Sequence, residues 1–174
     1  NLVPTWLTTP ANNLDRTIEC DDLISLADAL LLAPEAEDNC GNASIVLVSS
    51  TPLNTCAGGY VRSWKAVDDC GNESTNLFTQ TITIVDNDAP TWLTLPEALD
   101  AEVECDDAYG LDAALNVEPE ADDNCSDVTI TMVNRDYFTY GYCLGNYLGY
   151  WETEWTATDE CGNTSTSFYQ YVYI

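Results

Sequence analysis

The chain has 174 residues, with 30 acidic side chains against 4 basic ones, a formal net charge of −26, eight cysteines and no histidine. That balance argues against nucleic acid and anionic membrane surfaces as partners, since both need a basic patch; solubility and divalent cations fit it. Without histidine there is no Ser-His-Asp or Cys-His arrangement, no CxxC pair suggests zinc, and no apolar run approaches the ~18 residues of a membrane span.

In chain order the sequence says most things twice. Pro4-Thr5-Trp6-Leu7-Thr8 matches Pro90-Thr91-Trp92-Leu93-Thr94, and Glu19-Cys20-Asp21-Asp22 matches Glu104-Cys105-Asp106-Asp107. Pro34 to Cys40 matches Pro119 to Cys125, and Trp64, Ala66 and Asp68 match Trp155, Ala157 and Asp159. The turn Asp68-Asp69-Cys70-Gly71-Asn72 has its twin in Asp159-Glu160-Cys161-Gly162-Asn163, and Phe78, Gln80, Ile82 and Ile84 match Phe168, Gln170, Val172 and Ile174. The internal repeat predicts two domains, 1–87 and 88–174, cut from a longer tandem array.

Strand signals dominate both halves. Ser44 to Ser50 and Val128 to Val133 read as strands. From Trp151 to Asp159, Trp151, Thr153, Trp155 and Ala157 alternate with Glu152, Glu154, Thr156 and Thr158, the period of a half-buried strand. The last strand turns Phe168, Val172 and Ile174 one way and Tyr169, Tyr171 and Tyr173 the other, where the first half has Thr79, Thr81 and Thr83. Only Leu23 to Leu32 and Leu111 to Val117 read as helical. Short strands with frequent turn signals predict an all-β fold, two tandem immunoglobulin-like β-sandwiches.

Four cysteines in each half, at matching places in a small repeat, read as disulfides and so as an oxidising, extracellular setting. Cys70 ends a long strand and Cys56 precedes its start, so the two lie at opposite ends of a domain. On that polarity the expected bridges are Cys20 with Cys56, Cys40 with Cys70, Cys105 with Cys143 and Cys125 with Cys161, out of the three connectivities that four cysteines allow.

The DNC turn, the W-x-A-x-D-x-CGN hairpin and the D-x-DAP linker together resemble the hyalin-repeat (HYR) and HYR-like domains, in the cysteine-rich form found in large surface proteins of Bacteroidetes. Those include gliding-motility adhesins exported by the type IX secretion system. The resemblance spans both halves and implies a structural or adhesive module at a cell surface, in an adhesin or a filament stalk, with neighbouring repeats as its first partners. Self-association into filaments and binding of surface glycan are the further partners it leaves open.

Two groups of residues are candidates for chemistry. The linker Val85-Asp86-Asn87-Asp88-Ala89-Pro90 resembles the acidic linkers of cadherins, where calcium stiffens successive modules. Asp21, Asp22, Asp86, Asn87, Asp88, Asp122, Asp123 and Asp159 are the candidate ligands, with Glu160 close by, since calcium takes several carboxylate and carbonyl oxygens. The plainer reading is a solvated acidic hinge whose Asp and Asn make turns. The second group is aromatic: Tyr137, Phe138, Tyr140, Tyr142, Tyr147, Tyr150 and Trp151, with the row Tyr169, Tyr171 and Tyr173. Packing at a sheet edge is the favoured reading; a platform for sugar or another chain, centred on Tyr140, Tyr142 and the row, is the other. Carboxylate pairs recur at turns in both copies, as structural features do, so no enzyme activity is expected; an accessory domain of a secreted enzyme is the remote alternative. The sequons at Asn42, Asn72 and Asn163 would matter only in a eukaryotic host.

Overall fold

The computed structural model describes residues 2–39, 41–53, 55–144 and 147–174, apart from the side chains of residues 11, 12 and 142–144. The chain divides into two compact units, Asn1–Asp86 and Asn87–Ile174. In the first, strands β1 (Thr5–Trp6), β2 (Arg16–Glu19), β3 (Ala36–Glu37), β4 (Ala43–Pro52), β5 (Gly59–Asp68) and β6 (Phe78–Val85) accompany an α-helix, α1 (Leu23–Leu31), and a single 3-10 turn at Ala11–Leu14. The second holds β7 (Thr91–Trp92), β8 (Ala101–Glu102), α2 (Ala108–Leu115), β9 (Ala121–Asp122), β10 (Val128–Leu144), β11 (Tyr147–Asp159) and β12 (Phe168–Tyr173).

Each unit is built from a four-stranded and a two-stranded sheet. The first has the order β2-β6-β5-β4 beside β1-β3, the second β10-β11-β12-β8 beside β7-β9. The long strands pair antiparallel, while β2 joins β6 and β8 joins β12 in parallel. This is the expected pair of immunoglobulin-like sandwiches.

Alternation decides which side chains go inside. On β5 and β6, Trp64, Ala66, Phe78, Gln80 and Ile82 are buried; on β11 and β12, Thr153, Trp155, Ala157, Phe168, Gln170 and Val172 are. Trp6 closes over Phe78 with ring centroids 5.5 Å apart, and Trp92 over Phe168 at 5.3 Å. Both indoles also donate to a backbone carbonyl, that of Asn76 or Thr166. Each buried aromatic removes enough apolar surface from water to contribute on the order of 2–3 kcal/mol.

One inward position in each core is polar. The amide of Gln80 donates to the carbonyls of Leu14 (2.8 Å) and Ala29 (3.2 Å), and its oxygen accepts from Arg62 (3.2 Å). Gln170 donates likewise to Leu99 (3.1 Å) and Ala114 (2.8 Å). These glutamines tie the α-helix and the segment before β2 or β8 to the large sheet, and Gln80 satisfies a Leu14 carbonyl that the core would otherwise bury unpaired.

A guanidinium serves the helix end in both units, from different strands. Arg62 on β5 donates to the carbonyls of Leu30 and Leu32 and lies 4.8 Å from the Trp64 ring centre. In the second unit Arg135 comes from β10, reaches the carbonyl of Leu115 and receives support from Thr153. Ser50 stands opposite Arg62, and Arg135 opposite Thr153, so the arginine and its hydroxyl neighbour have exchanged strands. A cation at a helix C-terminus also complements the helix dipole.

Helix α2 begins three residues before the expected Leu111. The cause is its cap: the Asp107 carboxylate accepts from the Gly110 amide, as Asp22 does from the Ser25 amide at the start of α1.

Cys20, Cys56, Cys125 and Cys161 are each disulfide-bonded. Cys20 follows β2, its amide bonded to the Val85 carbonyl, and Cys56 precedes Gly59, whose register partner is Thr83, so both lie at one end of the sheet. Cys70 and Cys105 carry free, exposed thiols, a departure from the expected bridges to Cys40 and Cys143. The Cys70 turn is closed instead by Asp68, which accepts from the Cys70 amide at 2.8 Å. Cys40 and the side chain of Cys143 lie outside the described residues.

Candidate functional site

The acidic residues mostly serve their own turns. Asp68 accepts the Asn72 amide at 2.8 Å and its side-chain amide at 2.6 Å; Asp159 takes the same two groups of Asn163, both at 2.8 Å. Gly71 and Gly162 sit at φ +85° and +91°, which the tight turn requires and a side chain resists. The Asn72 side-chain bond holds the Asp68 carboxyl below its ordinary value. At Asp159 burial pushes the carboxyl up, and the bonds from Asn163, Gly162 and Cys161 outweigh it and leave it lowered. Asp15 and Asp100 brace the β6 and β12 amides of Thr81 and Tyr171.

The expected ligand set falls in both units. In the first, exposed Asp21 and Asp22 follow β2, Asp22 is spent on capping α1, and Asp86 is buried after β6. In the second, Asn87 and Asp88 open the unit, and Asp88 accepts from the Asn124 side chain at 3.3 Å. Asp88, Asp122, Asp123 and Asn124 line an open recess of about 480 Å³ with Ala89, Thr91 and Leu93. Carboxylate oxygens of Asp123 and Asp159 lie within 4.8 Å of each other. One oxygen of Asp123 takes the Cys125 and Ser126 amides; the other is buried with no hydrogen-bond partner among the described residues. Glu160 holds Ser126 through its backbone amide, not its carboxylate.

The tyrosine row is not at a sheet edge. β12 is an inner strand between β11 and β8, and its outward side chains stand on the open face of the sheet. Register builds that face in rows. Phe138, Tyr150 and Tyr173 lie side by side across β10, β11 and β12, with Glu102 next on β8. The following rows are Asp136, Glu152 and Tyr171, then Asn134, Glu154 and Tyr169. A column of three tyrosines therefore runs beside a column of carboxylates.

The rings touch. Phe138 stacks on Tyr150 at 5.1 Å, Tyr150 meets Tyr173 at 5.8 Å and Tyr171 at 5.9 Å, and Tyr140 reaches Tyr150 at 6.0 Å. Tyr147 packs on Tyr173 at 5.3 Å and donates to Glu102. Tyr169 donates to Glu154 at 3.3 Å, which Ser167 also serves at 2.6 Å. The Glu102 bond raises the Tyr147 pKa, while burial and then Glu152 raise that of Tyr171, so these phenols stay neutral donors. Tyr137 belongs elsewhere, packed on Trp151 at 5.1 Å, and the side chain of Tyr142 lies outside the described residues.

The same positions of the first unit are plain. Thr79, Thr81 and Thr83 replace the tyrosines, Ser63 and Val61 stand in register where Glu154 and Glu152 do, and Ser49 and Thr51 complete the rows. Two copies of one scaffold thus carry opposite surfaces.

Residues 8–84 match the family described as HYR-like domain with 4 cysteines. The match covers most of the first unit, and the second unit repeats its strands and α-helix in the same order. No curated protein matches the chain. Among solved structures, human mucin-like protocadherin EC1-2 is similar at 10% identity and TM-score 0.38, over 99% of this chain and 98% of that one. The Ig1-2 module of the Drosophila receptor tyrosine phosphatase DLAR is similar at 15% identity and TM-score 0.31, over 99% and 100%. The fibronectin(III)-like modules of Clostridium thermocellum CbhA follow at 13% identity and TM-score 0.26, over 99% and 94%. The disulfides and the HYR-like match point to an extracellular or secreted protein. Among the described residues no helix is long and apolar enough to cross a membrane.

Proposed function

We propose that this chain is a section of a cell-surface adhesin or filament stalk, in which HYR-like repeats supply the shaft and the tyrosine face of the second repeat makes the adhesive contact. The observation that carries this reading is the contrast between the two faces. The first repeat folds with threonine, serine and valine at those positions, so the fold does not require the rings. Tyr169 is exposed and Tyr150, Tyr171 and Tyr173 are half-buried, and partly exposed rings with polar tips suit half-wet contacts, where they bury area at little entropic cost. Beads coated with the chain and beads coated with a Y169T/Y171T/Y173T variant, laid on a cell layer, test the proposal. Adhesion lost with the three rings supports it; equal adhesion refutes it.

A second reading concerns calcium at the entry end of the second repeat. Asp88, Asp122, Asp123 and Asp159 offer hard oxygen ligands, and the buried, unbonded Asp123 oxygen favours a cation there. Bound calcium would raise the unfolding temperature in proportion to the logarithm of its concentration. Calorimetry with calcium and with chelator tests this: no heat at millimolar calcium and an unmoved unfolding temperature remove the ion from the account.

A further inference from the structure

The geometry points to a basic polypeptide segment, arginine-rich and extended, as the ligand of the tyrosine face. This deepens the adhesive reading and rests on it. Three observations on the second repeat converge. The first is composition by column: Tyr169, Tyr171 and Tyr173 on β12 run beside Glu152 and Glu154 on β11 and Asp136 on β10, with Glu102 at the end of the Tyr173 row. An extended strand laid along the columns alternates its side chains at the same spacing as the sheet beneath it, so cationic groups fall between ring and carboxylate.

The second is charge. Arg135 is the sole basic residue from Asn87 to Ile174. Its guanidinium faces the core, held by Thr153 and the Leu115 carbonyl. No cation of this repeat therefore neutralises the face. The carboxylates are partly satisfied by tyrosine and serine hydroxyls, which hold them in place without cancelling their charge. A second copy of this acidic surface is repelled, and a neutral sugar leaves the carboxylate column unneutralised. A guanidinium satisfies both columns, since it stacks on a ring and donates to carboxylates in one plane.

The third is that the chain already holds a guanidinium in this manner. Arg62 lies 4.8 Å from the Trp64 ring centre while donating to the carbonyls of Leu30 and Leu32 and the Gln80 amide oxygen. Ring beneath, oxygens at the edge is the same chemistry that the outer face of the second repeat offers to a partner.

The probe is a fluorescent nona-arginine peptide, titrated by anisotropy against the two-repeat chain at physiological salt, with cellohexaose as a neutral comparison by calorimetry. Long-range attraction to so acidic a chain is separated from the site by the choice of variants. Y169T/Y171T/Y173T leaves the charge unchanged and is expected to weaken peptide binding at least tenfold. E152Q/E154Q is expected to weaken it similarly, and E118Q/E120Q, which removes the same charge away from the face, by less than twofold. Equal binding by the wild type and the tyrosine variant would mean diffuse attraction only and overturns the inference. Cellohexaose binding lost with the tyrosines, alongside peptide binding indifferent to them, overturns the basic ligand but leaves the adhesive face standing. No binding of either probe to the wild type counts against both.

Discussion

Gln80→Leu removes one buried amide and almost no volume. Gln80 is fully buried, and its amide donates to the carbonyls of Leu14 and Ala29. Ala29 keeps a second donor in the Leu32 amide, and Arg62 keeps the carbonyls of Leu30 and Leu32, so the carbonyl left alone is that of Leu14. An orphaned buried carbonyl costs about 1–3 kcal/mol and the shared bond to Ala29 adds roughly 0.5–1, against a modest gain from burying leucine, for a net loss of about 2–3 kcal/mol. Gln170→Leu is the internal control. Gln170 also donates twice, but its oxygen is buried with no partner among the described residues, so leucine relieves a penalty there. The second substitution should cost about 1 kcal/mol less in its own unit than the first does. Urea denaturation followed by tryptophan fluorescence, with one transition per unit, reads both. A loss below about 0.5 kcal/mol for Gln80→Leu, or a larger loss at Gln170, refutes the assignment of these amides as the ties between helix, loop and sheet.

Trp155→Ala should cost the second unit about 3–5 kcal/mol in the same assay, the penalty for truncating a buried large aromatic, and a loss under 1 would place the ring outside the core. Arg62→Thr should destabilise the first unit by about 2 kcal/mol, and S50R/R62T, which copies the arrangement of the second unit, should recover at least half of it; no recovery means the two guanidinium sites are not equivalent. The lowered carboxyls of Asp68 and Asp159 contribute stability that is fully present above the ordinary carboxylate range near pH 4 and lost as pH falls through their folded values. Between pH 5 and pH 2, Asp159→Asn should therefore lose less stability than the wild type; parallel curves would show that the turn does not depend on the carboxylate.

Much of this architecture is legible in the sequence because its cause is local. The alternation from Trp151 to Asp159 fixes which side chains face inward, and the Asp-x-Cys-Gly-Asn turns announce hairpins through residues that tolerate the required backbone. The start of α2 is local as well, written in Asp107, whose cap outweighs the weaker apolar pattern that suggested Leu111. What alternation does not carry is which strand lies beside which. The tyrosines of β12 look like an edge feature until sheet order places β11 and β8 on either side of them. Glu152 and Glu154 read as an ordinary solvent face until register sets them against Tyr171 and Tyr169. Gln80 and Gln170 match between the halves, yet a polar residue on an inward position gives no sign of the carbonyls it will meet, because those come from distant loops and helices. The arginine that changed strands is invisible for the same reason.

An adhesive tyrosine face on the second repeat must be surplus to its fold. The stability of Y169T/Y171T/Y173T against the wild type, measured by chemical denaturation, tests this most directly. The first repeat carries threonine at all three positions on the same scaffold, so the second unit should still fold and lose less than about 3 kcal/mol, the share of the ring contacts themselves. A loss above about 3 kcal/mol would show that the rings hold the sheet together and would return them to packing.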